Sequence, residues 1–477
     1  MLQNVLATCE TASARVLRSA ESRRWVWFGI FLPAVLALHL FAAGQIIARS
    51  NQDFKRADQG AEMWLAGVAA YNNDWWPRRS DGVRHPAWSW LARFVMDPDD
   101  AKFFEKGKWL NTGVACVFLV ALGVMATRFW GGLVAANVLL LSSMGILLVR
   151  ATYFQPEPLY YAFSFFAAAA AWQILRQRGW FWYPVLGVLA GFAYLSKPSF
   201  EPFLLALLFA LGIRTLLQKE VLPPVKDMFG ILMVGAIVLL MALPLGLNKA
   251  ELFGSPTFSY PKIWMWMDDF DTEAWPWQDA HPGRAQLEKV PPDEIPSFTW
   301  YFDRHTIGDA VARTFSGSQV VLARFFFPET RRKAAEFFWK SADLKKWEQP
   351  LSHRGVYLIL LFLVPLALLA GPKIPAASFS PPNVACAAYA FTAFALYALL
   401  YGWYYPIGRG DRFMGSLWIP CIVLAAFLGV QAWRHSASSY KNSLFCGVHA
   451  AILVSLLLQG LNLALLLANG AVLTTRN

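Results

Sequence analysis

Charge is scarce in this chain of 477 residues: Asp, Glu, Lys and Arg together make up only 15% of it. A soluble globular domain carries about 25%, so a soluble enzyme of this length is excluded. Cysteine offers no framework either. Cys9 precedes the first apolar run, and Cys116, Cys386, Cys421 and Cys446 fall inside such runs, which points neither to an extracellular disulfide scaffold nor to a Cys/His metal site. There is no Gly-rich phosphate loop to cradle a nucleotide. There is no Lys/Arg-rich block, so the net charge of +11 does not indicate a nucleic-acid partner; excess Lys and Arg belong in the cytoplasmic loops of membrane proteins. Internal repeats and Gly/Ser or low-complexity linkers are missing. N-x-S/T sequons are absent, which favours a bacterial inner membrane over the endoplasmic reticulum.

What is plentiful is apolar and aromatic. Hydrophobic residues reach 57% and aromatics 16%, with 22 Trp, and the mean hydropathy is +0.39. Trp and Tyr favour the membrane–water interface. A helix needs about 20 mostly apolar residues to cross a bilayer. Suitable runs lie near 25–48, 109–128, 131–149, 158–175, 181–196, 200–217, 227–247, 355–371, 383–401, 414–433 and 444–468. The reading is an all-α polytopic membrane protein with about eleven transmembrane helices. The first run is too long for a signal-peptide core and is read as a retained anchor.

Sidedness follows from the basic loops. Arg15, Arg18, Arg23 and Arg24 precede the first run and place residues 1–24 in the cytoplasm. Alternation then puts Arg128, Arg176, Arg178, Arg214, Lys219, Lys373, Arg434 and Lys441 on that side. The other face receives the loop 49–108, the turns RATYFQPEP, SKPSFEP and YPIGRGDRF, and the large loop 248–354. The expected organisation is a transmembrane module at 25–247 that includes the loop 49–108, the large extracytoplasmic loop at 248–354, and C-terminal transmembrane helices at 355–477. The working face is the outer one.

Several outer segments carry charge. In FKRADQGAEMWLAG, residues 54–67, Asp58 and Glu62 share one face of a helix. They are either the solvated first turn of an interfacial helix or, in a dehydrated cleft, a source of general base. DWWPRRSDGVRHPAWSWLARF, residues 74–94, mixes Arg and Trp, which suits either phosphate and sugar binding or an interfacial anchor. In RATYFQPEPLYY, residues 150–161, Glu157 sits between two prolines at the mouth of a span, where an ionisable group is a functional hypothesis by default. Arg150 is either its partner or a phosphate ligand. Lys197, in the short outer hairpin GFAYLSKPSFEPF, either snorkels to headgroups or holds a phosphate as a point charge. Arg409, Asp411 and Arg412 lie between two spans, where an internal Arg–Asp pair is an adequate account.

The order of these segments resembles the GT-C class of polytopic glycosyltransferases, which take sugars from polyprenyl-phosphate carriers, and among them the protein O-mannosyltransferase and lipid A aminoarabinose transferase relatives. The acidic opening of the first outer loop is matched by ADQGAEMWL, a KPP…YWL-like segment by RHPAWSWL, the second acid by QPEPLYY, the Lys turn by GVLAGFAYLSKPS, and a late RYLLPLLP-like span by DRFMGSLWIP. The resemblance covers about residues 25–240 and 410–420; the loop 248–354 has no counterpart in it. It implies Asp58 as the principal catalytic carboxylate, Glu157 as the second acid, and Arg84 or His85 with Lys197 as donor-phosphate ligands, Arg150 and Arg412 being further candidates. Arg84-His85-Pro86-Ala87 replaces the family's Lys-Pro-Pro, and Asp-Gln replaces the commoner Asp-Glu. With no adjacent acid, a divalent metal is not predicted, and no other cofactor is called for.

The chemistry implied is a single displacement with inversion. A carboxylate takes the proton of an acceptor hydroxyl, which attacks the anomeric carbon opposite the lipid phosphate, while cationic side chains stabilise the departing phosphate. The expected partners are a polyprenyl-phosphate-sugar donor, a protein, lipid or polysaccharide acceptor, and membrane lipids. The alternative is a transporter or lipid flippase, which often shows internal repeats and paired broken helices. A non-catalytic assembly subunit is a third reading, and it has no need of converging acids and bases.

Overall fold

The computed structural model describes residues 23–50, 86–219, 224–327, 346–347, 354–369, 380–408, 411–434, 439–469 and 472–473. Each expected apolar run coincides with a helix. In chain order, these are α1 (Arg24–Ser50), the short α2 (Pro86–Ala92), α3 (Asp100–Trp130), α4 (Gly132–Ala151), α5 (Glu157–Leu175), α6 (Trp182–Ser196), α7 (Glu201–Leu217) and α8 (Val225–Phe253). After them come α9 (Ile307–Phe326), α10 (Arg354–Leu369), α11 (Pro381–Trp403), α12 (Trp418–Arg434) and α13 (Ser439–Ala468). Among the described residues nine helices are long and apolar enough to cross a membrane, and α6 and α10 are shorter apolar helices. The protein is a multi-pass integral membrane protein. Strand is confined, among the described residues, to a two-residue parallel pairing of Lys346–Trp347 with Val472–Leu473.

One end of the bundle is fastened by basic side chains on backbone carbonyls. Arg24 donates to the carbonyl of Arg128 at 3.1 Å, Arg434 to that of Phe129 at 3.3 Å, and Lys441 to that of Leu368 at 2.5 Å. Arg214, fully buried, donates to the carbonyls of Ile174 and Leu175 and to the Asp227 carboxylate, which also accepts from the Tyr183 hydroxyl at 2.6 Å. Cations at helix C-termini answer both the orphaned carbonyls and the helix dipole. This is the end that the loop charges assign to the cytoplasm.

The middle of α4 contains a π-turn at Ser143–Leu147. Such a turn disrupts the regular ladder, and carbonyls within it and just before it take outside donors. The Trp418 indole donates to the Leu141 carbonyl at 3.0 Å, and Arg354 donates to the Gly145 carbonyl at 2.7 Å. Gly145 is required there, because a Cβ would lie 2.5 Å from the Trp418 indole nitrogen. Arg354 also donates to the Phe325 carbonyl at 3.0 Å and stacks over the Trp418 ring at 4.9 Å. One buried guanidinium thus ties together α4, the end of α9 and the start of α10.

Within the stretch read as one large loop, short helices at Tyr260–Trp264, Trp275–Ala280 and Phe298–Phe302 surround a small core that includes Phe253, Tyr260, Trp264 and Met267. From this region α9 runs along α11. It starts at a reciprocal cap between Thr306 and Asp309. Arg313 is pinned to the carbonyls of Trp403 at 3.0 Å and Met267 at 2.7 Å and to Asp268 at 3.1 Å. Lower down, Phe325 packs edge-on against Phe394 and Trp418.

Candidate functional site

Two helices stop short. With 15 and 16 residues, α6 and α10 rise roughly 22–24 Å, less than the ~30 Å hydrocarbon core. Lys197 caps the C-terminus of α6, and Arg354 opens α10. Pro198 follows Lys197 and disfavours the helical conformation for it. Lys197 is accordingly extended, with φ −164° and ψ 123°. The chain therefore turns sharply and throws the Lys197 side chain inward.

Glu157 arrives from another direction. Pro156 precedes it and Pro158 follows it, so α5 begins at Glu157, where the helix dipole favours a carboxylate. The approach to this start is held by Asn111 in α3. Its amide nitrogen donates to the carbonyls of Tyr153 and Gln155, both at 2.7 Å, and its amide oxygen accepts from the Trp88 indole at 2.9 Å. Trp88 in turn packs edge-on against Phe154 with centroids 4.5 Å apart. The described part of the RHPAWSWL motif is thus docked on the turn that leads to Glu157.

The two side chains meet. Lys197 Nζ donates to Glu157 Oε1 at 2.7 Å, with side-chain exposures of 6% and 2%. The same ammonium lies 4.1 Å from the centroid of the Phe413 ring, and that ring stacks flat on Tyr401 at 4.6 Å. Burying two charges costs several kcal/mol each, and a close, hydrogen-bonded pair is what offsets that cost; an aromatic face adds to it in a desolvated setting. A second polar line runs beside the first. Tyr397 donates to the Ser199 carbonyl at 2.5 Å and receives the Tyr160 hydroxyl at 2.7 Å. Arg150, Glu157 and Arg354 all lie within electrostatic range of the Tyr161 hydroxyl. Arg324, near the end of α9, donates to the Tyr405 hydroxyl at 3.3 Å.

Of the residues singled out from sequence, Glu157 and Lys197 are brought into direct contact. Arg150 is half-buried near the end of α4. Asp58, Arg84 and His85 lie outside the described residues, as does the side chain of Arg412; the backbone of Arg412 belongs to the turn Asp411–Met414 that presents Phe413. Sequence reasoning missed Phe413, Asn111, Arg324 and Arg354. A polar Asn at the mouth of an apolar run, and an Arg inside the run VVLARFFF at 320–327, were the available signals. Among the described residues no three His, Cys, Asp or Glu side chains are grouped to hold a metal. A shallow hollow of about 280 Å³ beside His281, Lys289 and Glu294 includes none of these site residues.

No protein-family model matches the sequence, and no curated protein matches it. Among solved structures, the chain is similar in fold to the archaeal oligosaccharyltransferase AglB from Archaeoglobus fulgidus, determined with an inhibitory peptide and a dolichol-phosphate. The TM-score is 0.47 and the identity 12%, over 94% of this chain and 57% of that one. The chain therefore spans little more than half the length of that protein.

Proposed function

We propose that this protein is an integral membrane glycosyltransferase of GT-C type. It moves a sugar from a polyprenyl-phosphate donor to an acceptor hydroxyl on the outer face of a bacterial inner membrane, with inversion. The observation that carries the reading is the buried Lys197–Glu157 pair capped by Phe413, assembled from three separate segments of the chain. Each of those segments belongs to a motif through which the sequence resembles that class. A cation held in a dry, preorganised setting is what a departing lipid phosphate needs, because electrostatic stabilisation is strongest where water is excluded.

In this reading Lys197 faces the donor phosphate, with Arg84, His85, Arg150 and Arg412 as further ligands. Asp58 is the carboxylate that takes the acceptor proton, and Glu157 is the second acid of the site. The acceptor is a protein, a lipid or a polysaccharide, and the outer region 248–354 is assigned to its selection. The test is sugar transfer from polyprenyl-phosphate donors by the purified full-length protein in detergent, comparing wild type with Asp58→Asn. Loss of turnover with donor binding retained is the expected result. Equal turnover in the variant removes Asp58 from the mechanism, and wild-type protein that moves substrate across vesicles without transferring sugar favours a transporter or flippase instead.

A further inference from the structure

The ammonium assigned to the donor phosphate is already occupied. Lys197 Nζ is 2.7 Å from a carboxylate oxygen, and its other side faces an aromatic ring at 4.1 Å. Both members of the pair are almost fully buried. An anion that approaches this cation meets a charge that is largely neutralised, and it must share or displace Glu157 to bind tightly.

We infer that Glu157 is a counter-charge that weakens the hold of Lys197 on phosphate, so that the phosphate-bearing product leaves the site; this rests on the glycosyltransferase reading above. The argument concerns the charges of donor and product. A polyprenyl-phosphate sugar is a phosphodiester with one negative charge. Its product after transfer is a phosphate monoester, which carries about −1.5 to −2 near neutral pH. A lone buried ammonium would attract the product more strongly than the donor, and the enzyme would be trapped after one turnover. A carboxylate that competes for the same ammonium lowers the affinity for both and acts more strongly against the more charged species. Phe413, stacked on Tyr401, holds the ammonium within reach of Glu157 throughout. Glu157 is here a positioning residue that acts through Lys197.

Three roles for Glu157 give different signs. A general base lost by Glu157→Gln would leave phosphate binding unchanged and abolish chemistry. A merely structural acid would leave binding weaker, since the site would loosen. A competing counter-charge makes binding tighter, because Gln accepts a hydrogen bond from Lys197 but brings no charge.

The experiment measures binding of polyprenyl phosphate to the full-length protein in detergent, with the matching polyprenol as the uncharged control, alongside steady-state transfer. Glu157→Gln is expected to bind polyprenyl phosphate about tenfold tighter, a modest change for a close charge pair. KM for the donor and kcat should fall together, with a burst of one sugar per protein before the slow phase. Glu157→Asp keeps the charge but withdraws it by one methylene, and it covers the case in which the Gln variant fails to fold; a smaller tightening is expected. The tightening must vanish in Lys197→Met/Glu157→Gln. Unchanged or weaker binding in both Glu157 variants overturns the inference while leaving the function intact. Wild-type protein that binds polyprenyl phosphate no better than polyprenol overturns the function, and this inference with it.

Discussion

Lys197 and Glu157, separated by 40 residues of sequence, meet as a salt bridge at 2.7 Å with almost no exposed surface. With side-chain exposures of only 6% and 2%, both charges rely on partners inside the protein, and this contact is a close one. Removing one partner of a buried pair costs about 3–5 kcal/mol, whereas replacing both by apolar groups of similar volume is often neutral. Lys197→Met and Glu157→Leu should therefore each lower the melting temperature of the purified protein sharply, and the double variant should regain most of the loss. Activity should be absent in the double variant, as in Lys197→Met, because the phosphate ligand is gone. A double variant as unstable as the two singles combined would show that the pair is not the unit described here.

Asn111 offers a test of how the site is held. Its amide satisfies two backbone carbonyls and one indole within the bundle. Asn111→Leu preserves volume and leaves those groups unsatisfied, at about 1–3 kcal/mol for each buried group. The turn before Glu157 should shift, and sugar transfer should fall by tenfold or more. Trp88→Phe, which removes the indole donor and trims the buried ring but leaves both backbone carbonyls satisfied, should cost less turnover. Unchanged turnover in Asn111→Leu would mean that the start of α5 is positioned by something else.

The spans were legible because a bilayer imposes one strong rule: a long apolar run becomes a helix. Even α6 and α10, too short to cross unaided, were found as apolar runs. The helix α9 escaped the same reading for a physical reason. Its exposed Ile307, Val311 and Phe315 recur every four residues among Asp309, Arg313 and Arg324, which lowers its average hydropathy below that of a span. Phe413 has no signature in the sequence beside the charged Asp411 and Arg412, because an aromatic ring serves a cation only through three-dimensional approach. Arg354 could not be found at all from pattern, since its hydrogen bonds go to the carbonyls of Gly145, Phe325 and Arg324, and carbonyls have no sequence signature. The meeting of Glu157 with Lys197 was partly legible: sidedness placed both on the outer face, but not in one ion pair.

The contact between α9 and α11 rests on two facing glycines. A Cβ on Gly317 would lie 2.0 Å from the Gly402 carbonyl oxygen, and one on Gly402 would lie 2.1 Å from the Ser318 hydroxyl oxygen. The backbones touch, and Ser318 donates across the contact to the Ala398 carbonyl at 2.9 Å. No rotamer change relieves a clash with backbone, so Gly317→Val must push α9 away from α11. Overpacking of this kind costs about 1–3 kcal/mol or more. The displacement should travel down the helix to Phe325, whose carbonyl accepts from Arg354, and so reach the start of α10. Gly317→Val should then lose both thermal stability and turnover. Gly308→Ala is the matched control: its Cβ would meet only the Thr306 hydroxyl oxygen, at 3.4 Å, and alanine is the better helix former. That variant should be neutral or slightly more stable, with turnover unchanged. If the two substitutions behave alike, α9 does not pack on α11 through this contact.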